Sequence, residues 1–161
     1  VYKRQTLVGA EESDWPPCMR KIIADLANGV NVNHFGRLFL ASISATLALP
    51  EESCIGFFRG APDFSESTTT YQVNHVYNGA YTPASCGKLK VNHNCPVLPG
   101  DDRLCDISWM DHPLKYIRAT QRWKAKNQQA EAQIRKDDQP LETEKQSENE
   151  PVETPPEIPE N

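Results

Sequence analysis

A mainly α-helical body followed by a disordered acidic tail is what this sequence predicts, on three observations. Apolar residues recur at three- and four-residue intervals in several stretches bounded by helix start and stop residues. Runs alternating apolar with polar residues, as a half-buried strand needs, are absent from the sequence. From Gln139 onward "QPLETEKQSENEPVETPPEIPEN" holds almost nothing apolar, too little to offset the entropy of ordering the chain.

The helices follow in order. "PPCMRKIIADLANG" carries prolines at its start, Met19, Ile22, Ile23 and Leu26 at helical spacing, and Gly29 as a stop. "NHFGRLFLASISATLAL" has Asn33 as N-cap and Phe35, Leu38, Phe39, Ile43 and Leu47 on one face. Pro50 interrupts, and "PEESCIGFFRG" places acids in the first turn of a short helix and glycine at its end. In "SESTTTYQVNHVYNG" the threonines favour a strand, but Ser67 as cap and the Asn78-Gly79 stop favour a helix. "HPLKYIRATQRWKAKNQQAEAQIRK" is the last helix, with Pro113 in its first turn and a charged, exposed second half. Residues 86–105 read as loop-rich, and Phe57, Phe58 and Trp109 as core. The chain divides into a lead-in over 1–15, a helical domain over 16–130 and an acidic tail over 131–161. A start at valine is expected of an excised piece of a longer protein.

The net charge of −5 belongs to the tail. Residues 131–161 hold ten acidic and three basic residues, leaving 14 basic and 12 acidic in residues 1–130, with all four histidines. A mildly basic body permits a phosphate-binding face. The longest apolar run, Leu38 to Leu49, is interrupted by serines and a threonine and is too short to span a bilayer. With no signal peptide at the start, a soluble, cytoplasmic protein with no membrane partner is expected.

Five cysteines in such a compartment point to metal binding rather than disulfides. Cys54, inside "EESCIGFF", reads as a small buried hydrophobe. That leaves Cys18 at the opening of the first helix, and Cys86, Cys95 and Cys105. Structural zinc favours closely spaced cysteine pairs, and none occurs here. An iron–sulfur cube presents four separate corners, so its ligands can come from distant segments. Spacing leaves three fates open: a cluster, zinc with help from His93 or His112, or unligated thiols.

Motifs narrow this. "PPCMRKIIADLANGVNVNHFGRLFLASISATLAL", "GFFRGAPDF", "TTYQVNHVY" and "YTPASC", then "CP" and "LCDI" ahead of "HPLKYI", resemble in order the C-terminal domain of the large subunit of archaeal and eukaryotic DNA primase. The resemblance runs from about Pro16 to Arg118, and the compact loops look more archaeal. It implies a helical domain organised around one [4Fe-4S] cluster, with Cys18, Cys86, Cys95 and Cys105 as ligands. It further implies a non-catalytic regulatory subunit that works in a heterodimer with the small catalytic subunit of primase. Such a subunit supports RNA primer synthesis in DNA replication by holding the DNA template and the 5′-triphosphate of the initiating nucleotide or primer. The chain shows no carboxylate constellation for a two-metal polymerase site; Asp101-Asp102 and Asp137-Asp138 read as a loop and the edge of the tail. The family's histidine and arginine positions fall on His34 and Arg37, three apart on one helix face, and its aromatic and amide positions on Tyr71 and Gln72. Asn74 stands where eukaryotic relatives can carry arginine, and Asn33 also replaces a basic residue. Arg20, Lys21, Arg59, Lys88 and Lys90 are available to template phosphates, while His75, Tyr77 and Tyr81 are assigned to structure. A zinc-stabilised nucleic-acid-binding module unrelated to primase and a ferredoxin-like electron carrier are the alternatives from other classes. Archaeal origin implies the cytoplasm, eukaryotic origin the nucleus.

Overall fold

In this computed structural model the described residues are 6–138. A 3-10 turn, Glu12–Asp14, precedes six helices: α1 Pro17–Ala27, α2 His34–Thr46, α3 Glu51–Phe58, α4 Glu66–Asn78, α5 Cys86–Val91 and α6 Pro113–Asp137. No strand occurs among the described residues. Helices α1 to α4 pack on one another around a core built from Met19, Ile22 and Leu26 of α1, Phe39, Leu40 and Ile43 of α2, Ile55 and Phe58 of α3, and Val73 and Val76 of α4. Leu89 of α5 and Ile117 of α6 close that core. The first half of α6 lies against the 3-10 turn, where Lys124 reaches the buried Asp14 at 2.7 Å. Its second half is exposed. No described helix is long and apolar enough to cross a membrane.

Backbone chemistry sets the helix ends. Gly29 takes φ +72° just beyond α1 and donates to the Leu26 carbonyl, while Val30 N–H reaches Asp25 O at 2.8 Å, so a left-handed residue ends this helix. A Cβ on Gly60 would sit 2.3 Å from the Leu26 carbonyl oxygen; glycine is required where the end of α3 meets α1.

The structure corrects several expectations. Ser65, not Ser67, precedes the first turn of α4. Residues 86–91 form α5, for which Ser85 supplies the cap. Helix α6 continues to Asp137, so 131–137 are helical; from Gln139 onward the tail lies outside the described residues. Phe35 is 56% exposed: it falls in the first turn of α2, ahead of the stripe that turns inward at Phe39. Trp109 is 47% exposed, although Phe58 is buried as expected and Phe57 packs edge-on against Trp15. It sits in the turns before α6, with its backbone carbonyl facing Lys115 (3.3 Å) and its neighbour Met110 turned inward instead.

Candidate functional site

Helix α2 begins at a fixed point. The Asn33 side-chain oxygen accepts from Gly36 N–H (2.9 Å), and its amide donates to the Asn92 carbonyl (3.0 Å). The Asn94 amide in turn donates to Asn33 Oδ1 (3.0 Å) and Asn92 O (3.1 Å). An asparagine latch therefore holds the start of α2 against the loop that carries Cys95. Gly36 permits it: a Cβ there would meet Asn94 Oδ1 at 2.6 Å and Val32 Cγ1 at 2.7 Å.

In the first turn of α2, His34 and Arg37 face α4 across a cleft of about 720 Å³, with Tyr71 and Gln72 on the opposite wall. Four of the predicted contact residues thus come together. Arg37 is already held: its Nε donates to Val32 O (2.8 Å), and its guanidinium donates to Asn31 Oδ1 (2.9 Å) and Asp63 Oδ1 (2.8 Å). That hydrogen bond holds the exposed Asp63 carboxyl below the usual range. An incoming anion would meet a guanidinium pre-aimed from behind and exchange with one surface carboxylate.

Tyr71 is 74% exposed and lies nearly parallel to His75, 6.5 Å between rings. His75 in turn meets Tyr81 edge-on at 5.6 Å, with 3.1 Å between His75 Nε2 and the Tyr81 hydroxyl. Both line the cleft, so two residues assigned to structure alone also shape the site. The signal was the four-residue interval from Tyr71 to His75, which puts both rings on one helix face. Tyr77 is structural, donating to Leu49 O (2.9 Å).

The other predicted contacts lie elsewhere. Asn74 donates to Glu51 of α3 (3.3 Å) and does not line the cleft. Arg59 is held by Glu52 (2.6 Å) and Glu66 (3.6 Å). Lys21 pairs with Asp25 and borders a smaller depression with Asn94, Cys95 and Pro96. Arg20 is within electrostatic reach of Tyr116, where its charge opposes the rise in that phenol's pKa. Arg20 and Lys21 therefore belong to the surroundings of the cysteines rather than to the cleft.

All five cysteines are free thiols. Burial pushes the Cys18 thiol well above its usual range, and Cys86, Cys95 and Cys105 each add to the shift as neighbouring charges. Burial also raises Cys86, with Cys95 next. Cys105 is pushed up to about 12 by burial, then by Asp102, Cys86 and Cys95. Four thiols from α1, α5 and two loops thus lie within electrostatic reach of one another. Cys54 is raised to about 11 by burial, with the nearby Ser44 and Tyr77 hydroxyls acting against it, and no other cysteine contributes. It sits in the core, fully buried.

The cysteine segments are braced locally. Cys86 N–H donates to Asp111 O (2.9 Å), and Asp102 Oδ1 accepts from Leu104 N–H (2.9 Å) and Cys105 N–H (3.1 Å). Tyr116 hydroxyl donates to Asp102 Oδ2 (3.0 Å). His112 Nδ1 accepts from Leu114 N–H (3.1 Å), which leaves Nε2 as the donor to Pro83 O (3.1 Å). Both ring nitrogens are occupied, and burial lowers the pKa of the imidazole. Among the described residues no three His, Cys, Asp or Glu side chains are grouped closely enough to hold a single metal ion.

The family model for the C-terminal domain of the eukaryotic and archaeal DNA primase large subunit matches residues 10–139. The chain belongs to this family. The match extends beyond both ends of the motif resemblance and takes in all six helices of the described residues. Its relatives include the DNA primase large subunit PriL of Thermoplasma volcanium, 39% identical over 126 residues, covering 76% of this chain and 38% of the relative. The protein of the same name from Thermoplasma acidophilum is 43% identical over 116 residues, covering 70% and 34%. That of Methanocella arvoryzae is 36% identical over 119 residues, covering 74% and 32%. The chain therefore spans about a third of the length of the curated relatives it matches, and those relatives are archaeal. No solved structure matches the chain.

Proposed function

We propose that this domain positions the initiating nucleotide for a primase, holding the 5′-triphosphate of the first nucleotide or primer together with the template beside it. The carrying observation is the cleft itself, in which a pre-aimed cation on α2 faces an exposed aromatic ring and an amide on α4. In this reading Arg37 releases Asp63 and takes phosphate oxygens, with His34 in the same helix turn as a second donor. Tyr71 offers a stacking face and Gln72 donates or accepts at a base or sugar edge. The role is to order two nucleotides that pair weakly on a template, which removes an entropic barrier from a reaction carried out elsewhere. Bond formation belongs to the small catalytic subunit, the partner in a heterodimer that works at the replication machinery of the cytoplasm.

Cys18, Cys86, Cys95 and Cys105 are the proposed ligands of a [4Fe-4S] cluster. Cys86, Cys95 and Cys105 all bear on Cys18; four such thiols on separate segments suit a cofactor with four separate corners, and Cys54 lies outside that set. When bound, such a cluster adds folding free energy by tying distant segments together. The zinc alternative loses one of its two candidate histidines, because His112 already uses both ring nitrogens.

The test compares a primer–template duplex bearing a 5′-triphosphate with the same duplex ending in hydroxyl. His34→Ala with Arg37→Ala is expected to weaken binding of the first at least tenfold and leave the second nearly unchanged. Equal losses on both would refute the triphosphate assignment.

A further inference from the structure

The cleft leaves the exposed Trp109 unexplained. This indole stands at the head of a groove of about 810 Å³ whose floor is one stripe of α6: Lys115, Arg118, Gln121, Arg122 and Ala125. Successive members are one or three residues apart, so the stripe spans eleven residues, about 15 Å along the helix. No carboxylate lines the groove. Lys115 is neutralised by Asp111 at 2.6 Å, but neither Arg118 nor Arg122 has a carboxylate within ion-pair distance among the described residues. Arg118 and Arg122 both reach the surface, and Arg122 Nε donates to the Arg118 carbonyl (3.3 Å). Like charges four apart destabilise a helix. An isolated domain gains nothing from that pairing, and an exposed indole adjoining it gains nothing either. A polyanion with flat, stackable faces would use both.

We propose that this groove is a second binding site, separate from the α2–α4 cleft, and that it takes a single-stranded nucleic acid. One base stacks on the Trp109 indole, and the adjoining backbone phosphates lie along Arg118 and Arg122. The groove offers charge and a π-face, so binding there is expected to depend only weakly on sequence. An acidic protein segment would satisfy the arginines but leave the indole without a stacking partner, which is why a nucleic acid is favoured. Neither the cluster nor triphosphate binding is needed for this second site.

The intact chain, with its metal content retained, is titrated with a labelled single-stranded oligonucleotide that has a 5′-hydroxyl, over a series of salt concentrations. Loss of two phosphate contacts in Arg118→Gln with Arg122→Gln is expected to flatten the slope of log affinity against log salt by about 1.4. Trp109→Ala is expected to weaken binding about fivefold or more with the slope unchanged, and Trp109→Phe to restore part of it. Circular dichroism confirms that the exposed-surface variants fold. An unaltered slope in the arginine variant overturns the proposal, as does unaltered affinity in Trp109→Ala. A parallel loss of triphosphate-duplex affinity would overturn the separateness of the two sites. Binding of a glutamate-rich peptide with the same dependence on all three residues would reassign the groove to a protein partner.

Discussion

Replacing Gly36 with alanine tests how the cysteine centre and the cleft are joined. The new Cβ would lie 2.6 Å from Asn94 Oδ1 and 2.7 Å from Val32 Cγ1, well inside contact distance. Asn94 is only 9% exposed, so its amide has little freedom to swing toward water. Displacing it breaks the hydrogen bonds to Asn33 Oδ1 and Asn92 O. At about 0.5–1.5 kcal/mol each, the two amount to about 1–3 kcal/mol. Alanine's better helix propensity returns at most about 1 kcal/mol, and less in a first turn. The net expectation is a loss of about 1–2 kcal/mol. For a chain of this size, that lowers the thermal midpoint by a few degrees. Affinity for the triphosphate duplex should fall as well, because the start of α2 carries His34 and Arg37. A double-mutant cycle isolates the latch: in an Asn94→Ala background, Gly36→Ala should lose most of its effect. If the two effects simply add, or if Gly36→Ala raises the midpoint in the native background, this account of the glycine is refuted.

Two further perturbations probe the centre beside it. Cys18→Ser, Cys86→Ser, Cys95→Ser and Cys105→Ser should each abolish iron content and broad visible absorption and lower the thermal midpoint, whereas Cys54→Ser should retain iron; iron lost from Cys54→Ser would break the ligand assignment. Tyr116 is held protonated up to about 12, first by burial and then by its hydrogen bond to Asp102. Its folded pKa exceeds the unfolded value near ~10, so its contribution is fully present below pH ~10 and is lost as pH rises toward about 12. Tyr116→Phe should therefore flatten the alkaline limb of a stability–pH curve in that window, and an unchanged limb would show that this phenol is not the group responsible.

The positions of α1, α2 and α6 were legible because each has a local chemical mark, whereas α5 was read as loop. Proline at the start of α1 and α6, Asn33 at the cap of α2 and Gly29 beyond α1 act within a turn of where they stand. The convergence of His34 and Arg37 on Tyr71 and Gln72 was accessible only through the motif resemblance, since no local pattern says that α2 faces α4. What stayed hidden depended on long-range contact or on direction. The Asn33–Asn94 latch joins residues 61 apart in sequence. Asp63 and Arg37, 26 apart, meet only after folding. Trp109 and Phe35 read as inward-facing because large apolar residues usually are, yet one lies in the turns before α6 and the other ahead of the buried stripe of α2. A hydrophobic residue outside a periodic stripe carries no directional information, so its burial cannot be read from its type alone.

The latch also explains a departure that charge counting makes look costly. Where the motif resemblance implies a basic residue, asparagine at 33 gives up a cation near the cleft. In exchange it makes three hydrogen bonds at one point: the cap on Gly36 N–H, the amide on Asn92 O and the acceptor for Asn94. No lysine or arginine can do this, because their side chains hold donors only. Position 33 thus trades electrostatic attraction for a fixed helix start, and Arg37, held from behind by Val32 O and Asn31, would carry the proposed phosphate binding from that fixed base. Positive charge without a carboxylate lining lies instead on α6 at Arg118 and Arg122, where no latch constrains the residue type. One surface is thereby built for placement and the other for attraction. That division predicts steep salt dependence for single-strand binding at α6 and shallow dependence for discrimination of the 5′ end at the start of α2.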